Sequence, residues 1–211
     1  MQSFRQRRGL DLVERAVELP ICIVLLMFFA PMMLLTALAV KLQDGGPVLF
    51  GHSRIGRDGR TFKCLKFRSM VVDAEARLQA LLRSDPTARA EWERDHKLRR
   101  DPRVTVFGEF LRRSSIDELP QLLNVLRGEM SLVGPRPITQ AEAVRYRRYF
   151  TVYCQVRPGI TGLWQVSGRN DVSYRRRIAL DVTYAKLRSL RLYFGILAAT
   201  GPAVLARRGA H

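Results

Sequence analysis

Apolar and polar positions are distributed unevenly along the chain. From Leu19 to Val40 it reads LPICIVLLMFFAPMMLLTALAV, without a charged residue. That length suits a membrane helix, for which about 20 residues cover a hydrocarbon core of about 30 Å. Pro31 lies near the middle of the run. Proline lacks a backbone donor and crowds the preceding turn, so the pattern predicts a helix broken at Pro31. Each half, roughly ten residues at about 1.5 Å per residue, reaches about halfway into the core. The run is too long for the apolar part of a cleaved signal peptide, and no A-x-A site follows it.

Beyond it the pattern shortens. Lys41 to Met70, KLQDGGPVLFGHSRIGRDGRTFKCLKFRSM, predicts β structure, with Asp44-Gly-Gly-Pro as a turn and Asp58-Gly59 as a hairpin tip. Val71 to about Arg100 is charged and helix-prone, interrupted at Asp85-Pro86. DPRVTVFGEFLRR brings a short strand or turn and then a basic stretch. Helices are expected over 116–128, ended by Gly128, over Ile138 to Tyr153, and over Val172 to Lys186. Arg157 to Arg169 reads as a Gly/Pro-punctuated loop. The apolar tail, Leu190 to Arg208, fits an interfacial helix or an ordinary core helix equally well. No repeat, low-complexity segment or linker is evident.

Charge sharpens this reading. The net charge of +17 over 211 residues favours an anionic partner: nucleic acid, phosphorylated small molecules or an anionic membrane surface. No nucleic-acid-binding motif accompanies it. Arg5, Arg7, Arg8 and Arg15 precede the apolar run; Lys41, Arg54, Arg57, Arg60 and Lys63 follow it. Basic flanks favour the cytoplasmic side. A helix that enters, bends at Pro31 and returns keeps both flanks inside, whereas a kinked span puts one outside; the flanks favour the hairpin. Cys22, Cys64 and Cys154 are odd in number and far apart, which supports neither a disulfide framework nor a zinc site and fits a reducing compartment. His52, His96 and His211 have no ligand spacing.

The candidate chemistry lies in SSIDELPQLLNVLRGEMSLVGPRP. Ser115-Ile116-Asp117-Glu118 is a formal capping box, and Pro120 is tolerated in a first helical turn. Yet Arg112, Arg113, Arg127 and Arg136 stand close by, and arginine suits phosphate oxygens. A carboxylate can attack phosphorus covalently, and a neighbouring one can hold Mg²⁺. Capping and chemistry are compatible. Arg136, held between two prolines, reads as a positioned group. Lys66 and Arg68 of KFRSM are site candidates, although strand edges often carry such charges. Trp164 and Gln165 read either as sugar or nucleotide contacts or as an interfacial anchor.

The Pro-broken segment with DGGPVLF, then KFRSM, DELPQLLNVLRGEMSLVGPRP and RPGITGLWQVSGR, together resemble the bacterial sugar transferases. These are monotopic phosphoglycosyl transferases that start exopolysaccharide and O-antigen synthesis. The resemblance covers about Leu10 to His211 and is closest to the exopolysaccharide-initiating hexose-1-phosphate transferases, in the form without the extra N-terminal membrane bundle of larger relatives. It implies an α+β, mostly helical fold. Residues 1–42 would be a re-entrant membrane helix with a basic flank. Residues 43–211 would be a cytosolic catalytic domain with a small β-hairpin and an interfacial C-terminal helix, docked on the membrane.

The implied activity moves glucose- or galactose-1-phosphate from a UDP-sugar to undecaprenyl phosphate and releases UMP. The resemblance makes Asp117 the covalent nucleophile and Glu118 a Mg²⁺ ligand. It gives Arg136 a phosphate contact, adds Lys66 and Arg68 as basic groups, and places Asp181 at a customary acidic position. It implies the cytoplasmic face of the bacterial inner membrane with both termini cytoplasmic, no nucleic-acid partner, and leaves a homo-oligomer open. An N-acetylhexosamine-1-phosphate transferase and a non-catalytic scaffold of polysaccharide assembly are the alternatives. Two departures stand out: Ala30 replaces the usual Ser before Pro31, and DVTYAKLRSLRLYF lacks the family's Asn-Trp-Ser and later Asp.

Overall fold

The computed structural model describes residues 4–95, 98, 100–168 and 172–205. His96, Arg169, Arg207, Arg208 and His211 lie outside them. The protein is mostly helical. One long helix, α1 (Phe4–Asp44), is followed by strands β1 (Leu49–Ile55) and β2 (Thr61–Phe67), which pair as a two-stranded sheet. Asp58 and Gly59 both take positive φ at the tip, as the Asp-Gly signal predicts. Helices α2 (Ala74–Ser84) and α3 (Pro86–Asp95) break at Asp85-Pro86, as expected. Next come α4 (Val106–Ser114), a 3-10 turn (Ile116–Glu118), α5 (Gln121–Leu126), β3 (Ser131–Val133), α6 (Gln140–Tyr146), α7 (Phe150–Tyr153), β4 (Gly159–Thr161), α8 (Leu163–Val166), α9 (Tyr174–Leu187) and α10 (Leu190–Leu205).

Pro31 does not end α1: the helix continues on both sides of it, and Pro20 also lies inside. Any bend at Pro31 is therefore a kink within a helix and not a loop between two. Ile23, Val24, Met27, Phe28, Leu34, Leu35, Leu38 and Leu42 along α1 are exposed. It is the one described helix long and apolar enough to cross a membrane.

The chain forms two compact units, and each takes in part of α1. One comprises Met1–Pro31, Gly51–Leu65 and Pro120–His211; the other comprises Met32–Phe50 and Lys66–Leu119.

In the first unit the start of α1 is bound by arginines. Asp11, Glu14 and Glu18 share a face at helical spacing. Arg188 donates from Nε to both oxygens of Glu14, at 2.9 and 3.0 Å, and from Nη1 reaches Asp11 at 2.6 Å. Arg57 pairs with Asp11 at 2.7 Å, and Arg157 lies 3.5 Å from Glu18. Arg15 donates to the carbonyls of Val125 and Leu126, closing the C-terminus of α5. Ile55, Ile138, Tyr146 and Tyr153 form the core beneath, with Phe150, Tyr174 and Ile178 against it. Tyr193 and Ile196 of α10 are buried, so α10 packs one face into this unit.

Two expectations fail here. The predicted helix over Ile138 to Tyr153 is divided, because Arg147 adopts a positive φ of 45° that stops α6. The predicted 157–169 loop instead supplies β4, which pairs in parallel with β3 (Ser131↔Gly159, Val133↔Thr161), and α8. Glycine makes that contact feasible. A Cβ on Gly159 would lie 2.0 Å from Gly134 N, and one on Gly162 would lie 2.1 Å from Gly134 O. This close approach fixes the Gly134-Pro135-Arg136-Pro137 loop.

The second unit packs Val40, Phe67 and Leu111 together, with Met33, Ala37, Val48, Phe107 and Ile116 around them. Thr105 caps α4 through Oγ1, which accepts from Gly108 N at 2.8 Å. Gly108 lies against the KFRSM segment so tightly that a Cβ there would meet Ser69 O at 1.9 Å.

Candidate active site

The acid pair belongs to the second unit. The expected helix over 116–128 is replaced by the 3-10 turn and the shorter α5, and the expected capping box is absent. Ser115 is left-handed (φ 59°, ψ 15°), ends α4, and makes no side-chain cap. Pro120 occupies the N-cap position of α5, again without a side-chain bond. The acids are thus released from capping and held by their neighbours. Ile116 anchors the turn in the apolar core, and Glu118 N donates to Ser115 O at 3.2 Å.

Lys66, at the end of β2, lies across both carboxylates. Its Nζ is 2.6 Å from Glu118 Oε1 and 3.5 Å from Asp117 Oδ2. Asp117 is only 6% exposed, whereas the Glu118 side chain is 41% exposed. Burial raises the Asp117 pKa, the Glu118 charge adds to the rise, and Lys66 and Arg112 oppose it. Arg112 is held by Ser69, whose Oγ accepts from Nε at 2.9 Å. The arrangement is a shielded carboxylate beside a more exposed one, with Lys66 against both and the Arg112 charge acting on Asp117.

Arg68 does not join this group. Its guanidinium forks onto Asp44 and donates to the carbonyls of Pro47 at 2.7 Å and of Val40 and Met70 at 3.4 Å. It ties the end of α1 to the strand that carries Lys66.

Arg136 and Asp181 come together in the first unit. Arg136 lies over Trp164 with Cζ 5.8 Å from the ring centre, and its carbonyl accepts from the Tyr153 hydroxyl at 3.1 Å. Asp181 is 1% exposed and accepts from the Tyr146 hydroxyl at 2.7 Å. Burial pushes its pKa up to about 7 against the pull of Tyr146, Arg177 and Arg136. Trp164 is buried in this cluster, which argues against an interfacial anchor. Sequence reasoning missed Tyr146, Tyr174 and Arg177. Nothing in the polar run SYRRR marks Arg177, but its i+4 spacing from Ser173 and to Asp181 places one face of α9 here.

A divalent hard cation fits the acid pair. Asp117 and Glu118 already converge on one cation, the Lys66 ammonium. Among the described residues no group of three or more His, Cys, Asp or Glu side chains could hold a metal, so an ion there would take its remaining ligands from water or substrate. Mg²⁺ is commonly held in that way, by one or two carboxylates plus phosphate oxygens.

Comparison with known proteins sets these features in a family. The chain belongs to the bacterial sugar transferases: the model described as "Bacterial sugar transferase" matches residues 10–207. It is 47% identical over 211 residues to an undecaprenyl-phosphate galactose phosphotransferase of Salmonella typhimurium, covering all of this chain and 44% of that protein. It is 55% identical over 183 residues to a UDP-galactose-lipid carrier transferase of Erwinia amylovora, covering 85% of this chain and 38% of that one. With the exopolysaccharide production protein ExoY of Sinorhizobium fredii it shares 48% identity over 198 residues, 94% of this chain and 88% of that protein. The chain thus spans less than half the length of several curated relatives and most of the length of ExoY.

Proposed function

We propose that this protein transfers a hexose-1-phosphate, glucose or galactose, from a UDP-sugar to undecaprenyl phosphate in a membrane step that begins exopolysaccharide or O-antigen synthesis. The observation that carries the reading is the buried Asp117 carboxylate beside Glu118 and under Lys66. The names of the relatives support the substrate class.

In the first half-reaction an Asp117 oxygen attacks the phosphorus that bears the sugar. A P–O bond forms, the bond from that phosphorus to the bridging oxygen breaks, and UMP departs with the bridging oxygen. In the second, a phosphate oxygen of the lipid attacks the same phosphorus, and the bond to Asp117 breaks to restore the carboxylate. Burial strips Asp117 of water, and the Lys66 ammonium offsets the charge of the pair. Arg136 contacts a substrate phosphate. Mg²⁺ held by Glu118 with Asp117 would neutralise phosphate charge as the phosphorus–oxygen bonds exchange.

We read α1 as re-entrant on the cytoplasmic face of the inner membrane. Asp11 and Glu14 at its start are bonded to Arg188, and Val40 and Asp44 at its end are packed with Phe67 and bonded to Arg68. Among the described residues α1 is the one helix long and apolar enough to cross a membrane. The two basic flanks support that reading, with the bend at Pro31 a kink within the helix.

The test of function is UMP release from purified protein with undecaprenyl phosphate, Mg²⁺ and a panel of UDP-sugars. Release with a UDP-hexose is expected. Release with none of them, from folded protein in bilayer discs, would overturn the proposal.

A further inference from the structure

Four arginines gather in the first unit: Arg136, Arg145 and Arg177 lie over the Trp164 or Tyr174 ring, and Arg54 is near Arg136. Two of them are accounted for. Arg54 donates to Glu142 at 3.1 Å and to the Pro137 carbonyl at 3.2 Å, and Arg145 rests on the Tyr174 ring at 4.8 Å. Arg177 is different. Its Cζ lies 4.1 Å from the centre of the Trp164 ring and 5.5 Å from that of Tyr174, within cation–π range of both. Its Nε is buried and has no hydrogen-bond partner among the described residues. Trp164 Nε1, Tyr174 Oη and Asp181 Oδ1 are likewise buried and unpartnered there. Buried polar atoms are almost always bonded, so several in one cluster point to something that binds them.

The chemistry of that ligand follows from the balance of groups. Two acids, Glu142 and Asp181, act on Arg136 and Arg177, and Glu142 is also engaged by Arg54 and by the N-cap of α6. The unmet groups are mainly donors: a guanidinium N–H, an indole N–H and a hydroxyl. Two guanidiniums over one indole, with excess positive charge and unmet donors, suit an anion with several oxygens. The Arg136 charge disfavours the charge on Arg177, and an anion between them would relieve that repulsion.

We propose that Arg177 is a second phosphate-binding residue of the transfer reaction, positioned beside Arg136 by stacking on Trp164. The inference rests on the function proposed above. The ligand is a phosphate monoester or diphosphate, either of the nucleotide or of the lipid.

Isothermal titration with UMP and with a short-chain polyprenyl phosphate, on detergent-solubilised protein, separates the two sources. Arg177→Gln should weaken one of them by about 10- to 100-fold, as loss of a charged hydrogen bond implies. KM for the corresponding substrate should rise more than kcat falls. Arg177→Lys, which keeps the charge without the planar stack, should fall between, and serves if the glutamine variant does not fold. Arg176→Gln removes an exposed charge one residue away and controls for bulk electrostatics. Unchanged affinity for both ligands in folded Arg177→Gln, or an equal loss in Arg176→Gln, would overturn the inference. Failure of wild-type protein to bind UMP, any UDP-sugar or the lipid phosphate would instead overturn the proposed function.

Discussion

Arg188→Met tests the fastening of α1. The wild-type guanidinium is bonded to Glu14, whose side chain is fully buried, and to Asp11, at 13% exposure. Removing it leaves Glu14 as an uncompensated buried charge, while Asp11 keeps Arg57. Breaking a buried pair from one side costs about 3–5 kcal/mol. For a chain of this size each kcal/mol lowers the melting midpoint by about 2–4 °C, so the expected drop is roughly 6–20 °C. Differential scanning fluorimetry in one detergent, for wild type, Arg188→Met and Arg188→Met with Glu14→Gln, gives the answer. The double variant removes the stranded charge and should recover part of the loss, a coupling that distant sites do not show. A drop below about 2 °C, or strictly additive effects, would refute the reasoning.

Two further outcomes follow from the second unit. Gly108→Ala places a methyl group 1.9 Å from the Ser69 carbonyl, backbone that cannot swing aside. It should cost about 1–3 kcal/mol in chemical denaturation and reduce UMP release, because Ser69 holds Arg112 near the acid pair. In the metal-free protein burial raises the Asp117 pKa, so its carboxyl should titrate above the range of an ordinary aspartate there. Lys66 opposes that rise, so Lys66→Met should move the titration, followed without Mg²⁺ by NMR of labelled aspartate, to still higher pH; an unmoved titration would show that Lys66 does not act on Asp117.

Much of the architecture was legible where local chemistry dictates it. Asp58-Gly59 marks the hairpin tip, Asp85-Pro86 the break between α2 and α3, and the uncharged run the apolar part of α1. What was hidden depends on distant partners. Strands β3 and β4 are three residues each and exist only because Gly134 and Gly159 let separate segments touch. The formal capping box failed because α4 terminates in a left-handed Ser115, beside an Ile116 packed on the apolar core. Arg68 is held by Asp44, 24 residues upstream, a partner that no local pattern marks. Lys66, Asp117 and Glu118, named from the sequence, do meet; Arg177 had no motif to announce it.

The central claim is that Asp117 becomes covalently attached to sugar phosphate. Intact-protein mass spectrometry after incubation with Mg²⁺ and a UDP-hexose, with the lipid acceptor withheld, tests it most directly. The account predicts an adduct of one hexose phosphate, mapped to Asp117, discharged by undecaprenyl phosphate and absent from folded Asp117→Asn. Transfer that proceeds at wild-type rate in Asp117→Asn, or an adduct on another residue, would contradict it.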